Sequence, residues 1–367
     1  MKKVNKILVI CPYPEDQAAG QRLKYEQYFR SWEENGFEIE VSEYMDQNLW
    51  EIVYEKGNYL RKCFGVLKGH LRRYRDLFLI WRFDVVYIFQ WTTPFGIGLY
   101  DYLIRLLSKK IIYDLEDFVV LKKGEEENPN PLLKFIRSNR KTDFLIKNSD
   151  YIITSSPSLN DYCLNKNKKK KSSFISSSVD TNKFKPSNNY KNDHKIVIGW
   201  TGTFGSKPYL DLLREVFIEL GKSYEFKLRF ITNFDYQLPG LDLEVIRWSK
   251  ESEVLDMQSL DIGVYPLEDS EWVKGKSGLK AIQYMAFGLP IVASNLGINP
   301  DLISHNINGL LASNNDEWLD HLKKLVEDSE LRRDLGLAAR KLAVDKYSLS
   351  AIESKYLDIL KETNQNE

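Results

Sequence analysis

Apolar residues recur along this chain in two rhythms, short continuous runs and stripes at helical spacing. The first run, Lys6–Cys11 (KILVIC), predicts a β-strand leading into a polar turn through Gly20. Beyond it Tyr25, Tyr28, Phe29 and Trp32 share one face of a helix that stops at Asn35-Gly36. Further runs predict strands at 38–41, 85–89, 110–113 and 151–155, with helices near 94–108 and 131–148. The second half repeats the rhythm, with strands at 195–200, 227–232, 243–247, 261–265 and 290–294 and helices near 208–221, 251–258, 277–287 and 315–326. Strands that are apolar throughout and alternate with helices predict parallel sheets covered on both faces. The polar, breaker-rich stretch 183–193 reads as a linker between the halves. The predicted fold class is α/β, two doubly wound Rossmann-like domains facing across a cleft at the carboxyl ends of their strands, where such folds bind ligands.

The 367 residues are too many for one ordinary core and suit two domains. A formal net charge of +0 gives no global attraction to nucleic acid, and no nucleic-acid partner is expected. The run 166–171, rich in lysine, reads as a solvated loop after a helix. Cys11, Cys63 and Cys163 are scattered without CxxC spacing, and His70, His194, His305 and His321 are isolated. That pattern predicts neither a disulfide framework nor a metal site, and it suits a reducing cytoplasm. Residues 1–11 read as a strand rather than a signal peptide, and no apolar stretch reaches the roughly 18 residues needed to span a bilayer. The expected location is cytoplasmic, with the inner face of the plasma membrane in reach. Residues 61–82 carry seven Lys/Arg against one acid, interleaved with Phe64, Val66, Leu67, Leu71, Leu77, Phe78, Leu79, Ile80 and Trp81. They read either as a basic amphipathic stretch suited to an anionic bilayer, or as a helix packed on the first domain with a solvated basic face.

The most informative stretch is Gly275-Lys-Ser-Gly-Leu-Lys-Ala-Ile-Gln-Tyr-Met-Ala-Phe-Gly-Leu-Pro-Ile-Val-Ala-Ser294. A Gly-Lys-Ser-Gly loop opens a helix, and Phe287-Gly-Leu-Pro290 closes it into a buried strand. Leu279, Ile282 and Met285 recur at core-facing spacing, while Lys276, Lys280 and Gln283 share the polar face. Free backbone N–H groups at Ser277 and Gly278, with two lysines beside them, suit a diphosphate held without a metal. The alternative is a surface amphipathic helix with solvated lysines.

Here the chain resembles the GT-B glycosyltransferases of family 4, the bacterial group 1 glycosyltransferases. Gln283-Tyr-Met-Ala-Phe-Gly-Leu-Pro-Ile-Val292 is similar to the family's Glu-Ala-Met-Ala-x-Gly-x-Pro-Val-Val, with Gln283 at the place of the second glutamate. Asn308-Gly-Leu-Leu311 resembles its Asn-Gly-x-Leu loop, and Ser178-Val-Asp-Thr-Asn-Lys-Phe-Lys-Pro186 its interdomain motif. The resemblance implies an acceptor-binding domain over 1–183, a linker at 184–194, a nucleotide-sugar domain over 195–348 and a last helix, 349–367, crossing back to the first domain. It also implies transfer of a sugar with retention from a nucleoside-diphosphate sugar to a glycan or lipid-linked acceptor. The family's usual setting is bacterial surface polysaccharide such as lipopolysaccharide O-antigen or capsule. No cofactor beyond the donor substrate and no metal is expected. Closing the cleft would exclude water from the reacting sugar.

The chain departs from the pattern. The paired family glutamates fall near Gly275 and Gln283, neither of which is acidic, and Glu268, Asp269 or Glu271 is left to take an acidic role. In the turn Gly199-Trp-Thr-Gly-Thr-Phe-Gly-Ser-Lys-Pro208 the phosphate lysine of the family survives as Lys207, but Thr203 stands at the arginine position. Gly202 and Thr203 are then expected to offer backbone and hydroxyl donors, with Lys276 and Lys280 supplying charge. Arg247 lies where similar enzymes contact the base.

On the first domain's side, Pro12-Tyr-Pro-Glu-Asp-Gln-Ala-Ala-Gly-Gln-Arg22 follows the first strand. Gly20 permits close backbone approach, and Arg22, in a helix's first turn, suits a phosphate, or else pairs with Glu26 at i+4. Tyr113-Asp-Leu-Glu-Asp-Phe118 ends another strand, and Glu116, with Asp114 and Asp117 beside it, is the candidate for orienting or deprotonating the acceptor hydroxyl. The competing reading has Asp114 and Asp117 capping the next segment. A metal-dependent Asp-x-Asp site is discounted because the spacing is imperfect. A sugar-nucleotide 2-epimerase of the same fold and a non-catalytic partner subunit are the competing functions.

Overall fold

The KILVIC run becomes β1 (Asn5–Cys11), with every side chain from Ile7 to Cys11 buried. Such a strand needs cover on both faces, and parallel βαβ connections supply it. The computed structural model describes residues 5–94, 98–118, 140–187 and 195–365. Beside β1 lie β2 (Phe37–Glu43), β3 (Val85–Phe89), β4 (Ile111–Leu115), β5 (Tyr151–Thr154) and β6 (Ser172–Phe174). All run parallel, in the order β2-β1-β3-β4-β5-β6. A second parallel sheet holds β7 (Val197–Gly202), β8 (Lys227–Thr232), β9 (Leu243–Arg247), β10 (Ile262–Tyr265), β11 (Ile291–Ser294) and β12 (Leu310–Ala312). Its order is β12-β11-β10-β7-β8-β9.

The chain forms two compact units, Met1–Ser176 with Lys274–Ser277 and Ile352–Glu367, and Ser177–Val273 with Gly278–Ala351. In the first, alternate strand residues Leu8, Ile10, Val86, Ile88 and Tyr113 pack with Ile104, Ile146 and Leu159 of the helices. On the opposite face Tyr25 lies 5.2 Å from Tyr87 and 5.1 Å from Phe89 between ring centroids, and Trp32 lies 5.9 Å from Tyr356 of the last helix, Leu349–Gln365. In the second unit Ile198, Trp200, Leu228, Phe230, Ile262 and Val264 meet Leu210, Phe217, Trp318 and Leu322. Behind β10 the ring of Tyr284 presses so close that a Cβ on Gly263 would lie 2.6 Å from its Cγ.

The stretch read as a linker is partly docked. Arg340 donates to the carbonyls of Phe184 (2.7 Å), Thr181 (2.7 Å) and Ala286 (2.6 Å), and Phe184 is buried against Phe287. These bonds fasten residues 181–184 to the second unit, while 188–194 lie outside the described residues.

Several local readings change. The short strands β6 and β12 were not expected; each is three residues long, at a sheet edge, and too short to show a pattern. The helix expected near 208–221 is two, Lys207–Asp211 and Arg214–Leu220. The first helix comes in pieces, Ala19–Arg22, a 3-10 turn Glu26–Tyr28 and Phe29–Glu34, with the break where Lys24 turns inward. The helix expected over 131–148 is described from Arg140 to Asn148, and that over 94–108 from Leu99 to Leu107; 131–139 and 95–97 lie outside the described residues.

Residues 61–82 fall on the helix Tyr59–Leu79 and a 3-10 turn, Ile80–Arg82. The helix packs on the first unit with Gly69, Arg73 and Asp76 buried, and its basic residues Arg61, Lys68 and Arg75 are exposed, but so are Phe64, Leu67, Leu71 and Phe78. Arg73 donates to the carbonyls of Cys11 (2.8 Å), Ser42 (2.9 Å) and Thr92 (2.6 Å), so its charge is spent tying together the ends of β1, β2 and β3. Among the described residues no helix is long and apolar enough to cross a membrane.

Candidate active site

In the first unit, β4 ends at Leu115 and delivers Glu116 and Asp117 to the carboxyl edge of the sheet. Asp117 adopts the left-handed conformation (φ 60°), which aspartate tolerates better than most residues. That kink turns its carboxylate toward Lys276, whose Nζ lies 3.1 Å from Asp117 Oδ2. The Lys274–Ser277 segment is seated here by Ser156 Oγ donating to Lys274 O (2.8 Å) and Ser155 Oγ donating to Gly275 O (3.2 Å). Gly275 is required by contact, because a Cβ there would meet Phe118 N at 2.3 Å. Ser277 hydrogen-bonds Glu116. On the other side Gly20 approaches so closely that a Cβ would lie 2.6 Å from Glu116 Oε2.

Burial pushes the Glu116 carboxyl up to about 7; Lys24 opposes the shift, Asp117 adds to it, the Ser277 hydrogen bond opposes it and Asp114 adds a little. A carboxyl poised near neutrality exchanges protons readily, the condition a general base requires. Asp114, read beside it as a catalytic candidate, plays another part. It is fully buried within β4, ion-paired with the equally buried Lys24, and it accepts a hydrogen bond from Tyr87. Its carboxylate is committed to neutralising Lys24, so it sets the field around Glu116 rather than facing solvent. Lys24 itself went unread in the sequence, where it sits between the apolar Leu23 and Tyr25 without a motif.

Arg22 is buried in the last turn of its short helix and acts electrostatically on Glu26. Burial pushes Glu26 up to about 7, opposed by the hydrogen bond from Gln21, raised further by Glu15 and lowered by Arg22.

The second unit holds a separate cluster. Gly278 caps the helix Leu279–Ala286 in the left-handed conformation, and Lys280 occupies its first turn. Lys280 Nζ lies 5.0 Å from the centroid of Trp200 and 5.5 Å from that of Tyr265, a cation held between two aromatic faces. A Cβ on Gly202 would come 3.1 Å from Lys280 Nζ and 2.4 Å from the Trp200 ring, so the Gly202 turn and Lys280 are neighbours. Thr203 is exposed beside Gly202, and Gln283 is buried on the same helix one turn after Lys280.

Two expected donor contacts lie apart from this cluster in their bonding. Lys207 pairs with Asp211 one helical turn on (2.9 Å), and the exposed Arg247 pairs with Asp235. Asn308 closes its own loop, accepting from Ser304 N (2.7 Å) and donating to Leu302 O (3.0 Å). Thus Gly20, Glu116, Asp117, Lys276 and Ser277 come together in the first unit, and Gly202 and Lys280 in the second.

The sequence model of the family "Glycosyl transferases group 1" matches residues 245–342, the segment holding Arg247, Lys276, Ser277, Lys280 and Gln283. Among solved structures, sucrose-phosphate synthase from Thermosynechococcus elongatus is similar over 98% of each chain, with a TM-score of 0.72 and 14% identity. A glycosyltransferase from Rickettsia africae ESF-5 is similar over 100% of both chains, with a TM-score of 0.69 and 14% identity. HepE of Anabaena, in complex with UDP and glucose, matches 98% of this chain and 100% of its own, with a TM-score of 0.65 and 14% identity. No curated protein matches the chain. At these identities the structural likeness is one of fold. The chain has the GT-B fold, and residues 245–342 match the group 1 glycosyltransferase family model.

Proposed function

We propose that this GT-B chain, with its group 1 glycosyltransferase segment, moves a glycosyl group from a nucleoside-diphosphate sugar to an acceptor hydroxyl. The observation that carries the reading is the meeting of the matched segment's Lys276-Ser277 with Glu116 and Asp117 at the end of β4. A loop able to hold phosphate charge and a carboxyl poised near neutrality are the two parts such a transfer needs. HepE, of the same fold, has been solved with UDP-glucose, which supports a sugar nucleotide as donor. In the reading, Lys280 and the Gly202 turn hold the diphosphate of the donor. Glu116 orients the acceptor hydroxyl and takes its proton as the new glycosidic bond forms and the diphosphate leaves. Retention of configuration, and a glycan or lipid-linked acceptor from bacterial surface polysaccharide, follow from the resemblance.

The test is release of nucleoside diphosphate from a panel of sugar nucleotides, followed across pH. Glu116 acts as carboxylate, and its folded value is raised to about 7, so the rate should climb with pH through about 7 and level off above it. Glu116→Gln should lower kcat by about 10²–10⁴ while leaving donor KM nearly unchanged. A full rate in that variant removes the role given to Glu116. Isomerisation of the donor without loss of diphosphate would assign a 2-epimerase instead.

A further inference from the structure

The helix Tyr59–Leu79 presents an apolar stripe to solvent while the charged Arg73 and Asp76 are buried on its inward face. Leu60 (89% exposed), Phe64 (70%), Leu67 (55%), Leu71 (60%), Tyr74 (55%) and Phe78 (79%) follow one another at alternating intervals of four and three, and Trp81 (68%) extends the row. The inward face is fixed by the buried Arg73–Asp76 pair and by Gly69, where a Cβ would meet Tyr44 O at 2.7 Å, so the helix cannot roll to hide the stripe. Beside it, the helix Leu99–Leu107 adds Leu99, Tyr102 and Leu106, again outward and more than half exposed. An apolar surface this continuous implies a partner.

Charge says which. The residues that follow the stripe positions, Arg61, Lys68, Arg75 and Arg82, form one basic row along the same side, and Lys62 lies beside it. Lys68 is paired with Asp46 and Arg75 touches Asp76, but the stretch 61–82 holds only one acid. In a dimer built on this stripe, basic rows would flank the seam with no acidic row to answer them. An anionic bilayer answers both features, with apolar and aromatic side chains entering the acyl boundary and arginines among the head groups.

We propose that the outward face of the helices Tyr59–Leu79 and Leu99–Leu107 docks the protein on an anionic lipid surface. The residues of this surface are not those placed in the Glu116 and Lys280 clusters, so the docking and the transferase reading fail or hold separately. The experiment is co-sedimentation of the full chain with phosphatidylglycerol-containing vesicles and with phosphatidylcholine vesicles. Wild type should bind the former and largely ignore the latter. Phe64→Glu with Phe78→Glu should abolish binding, while Arg61→Gln, Arg75→Gln and Arg82→Gln together should weaken it about a hundredfold and flatten its salt dependence. All five positions are exposed, so thermal unfolding and binding of a sugar nucleotide should stay as in wild type. Wild type remaining in the supernatant overturns the proposal. So does a self-associated wild type that Phe64→Glu dissociates without any vesicle binding, which would give the stripe to a second copy.

Discussion

Beneath Glu116, two fully buried groups of opposite charge decide what its carboxyl can do. Lys24 and Asp114 are each no more than 1% exposed, and Tyr87 donates to the same carboxylate. Such a pair contributes little net stability when whole, yet is costly to break, because the survivor is left charged in an apolar setting. Asp114→Asn should therefore cost about 3–5 kcal/mol in urea unfolding, while Lys24→Met with Asp114→Leu should cost less than that single change. Losses that simply add would show the two to be independent. The acidic run Tyr113–Phe118 was legible in the sequence because a strand rarely ends in three carboxylates by accident. Its division of labour was not, because Asp114 finds its partner 90 positions away, and no local pattern encodes that distance. Lys207, read as a phosphate contact, and Arg247, read near the base, each lie beside a carboxylate, Asp211 and Asp235.

Elements were legible where they are long and buried. Ten of the strands were readable as apolar runs, while β6 and β12, three residues each, carry no such signal. The helix Tyr59–Leu79 was legible as amphipathic but not in its orientation. Periodicity reports that two faces differ, and only the Arg73 bonds to Cys11, Ser42 and Thr92 report which one is turned inward. The helix Leu279–Ala286 shows how one residue sets an element's start. Gly278 holds φ 70°, and a Cβ there would meet Leu302 Cδ1 at 2.3 Å and Ile298 Cγ2 at 2.9 Å. Gly278→Ala should cost about 2–4 kcal/mol from left-handed strain and overpacking together. Gly205→Ala, with nothing within 4 Å of its Cβ and no positive φ, should be nearly silent in the same urea titration. Equal effects would contradict this account of the cap.

At the scale of the molecule, two parallel sheets emerge because the chain twice writes buried strands alternating with helices, and the GT-B fold is their sum. The fastening of residues 181–184 within the second unit was less legible, since the apolar Phe184 and the arginine that holds it, Arg340, lie 156 positions apart. The Lys274–Ser277 segment belongs to the first unit while Gly278 and Lys280 belong to the second. The central claim is that Lys280 marks a nucleoside-diphosphate site in the second unit. The direct measurement is a titration of wild type and Lys280→Ala with UDP, GDP, ADP, dTDP, CMP and their sugar conjugates, with and without EDTA. One diphosphate family should bind wild type, be indifferent to EDTA and lose about 10- to 100-fold in affinity on removal of the ammonium group. No binding by any member, or equal binding by Lys280→Ala, would contradict it.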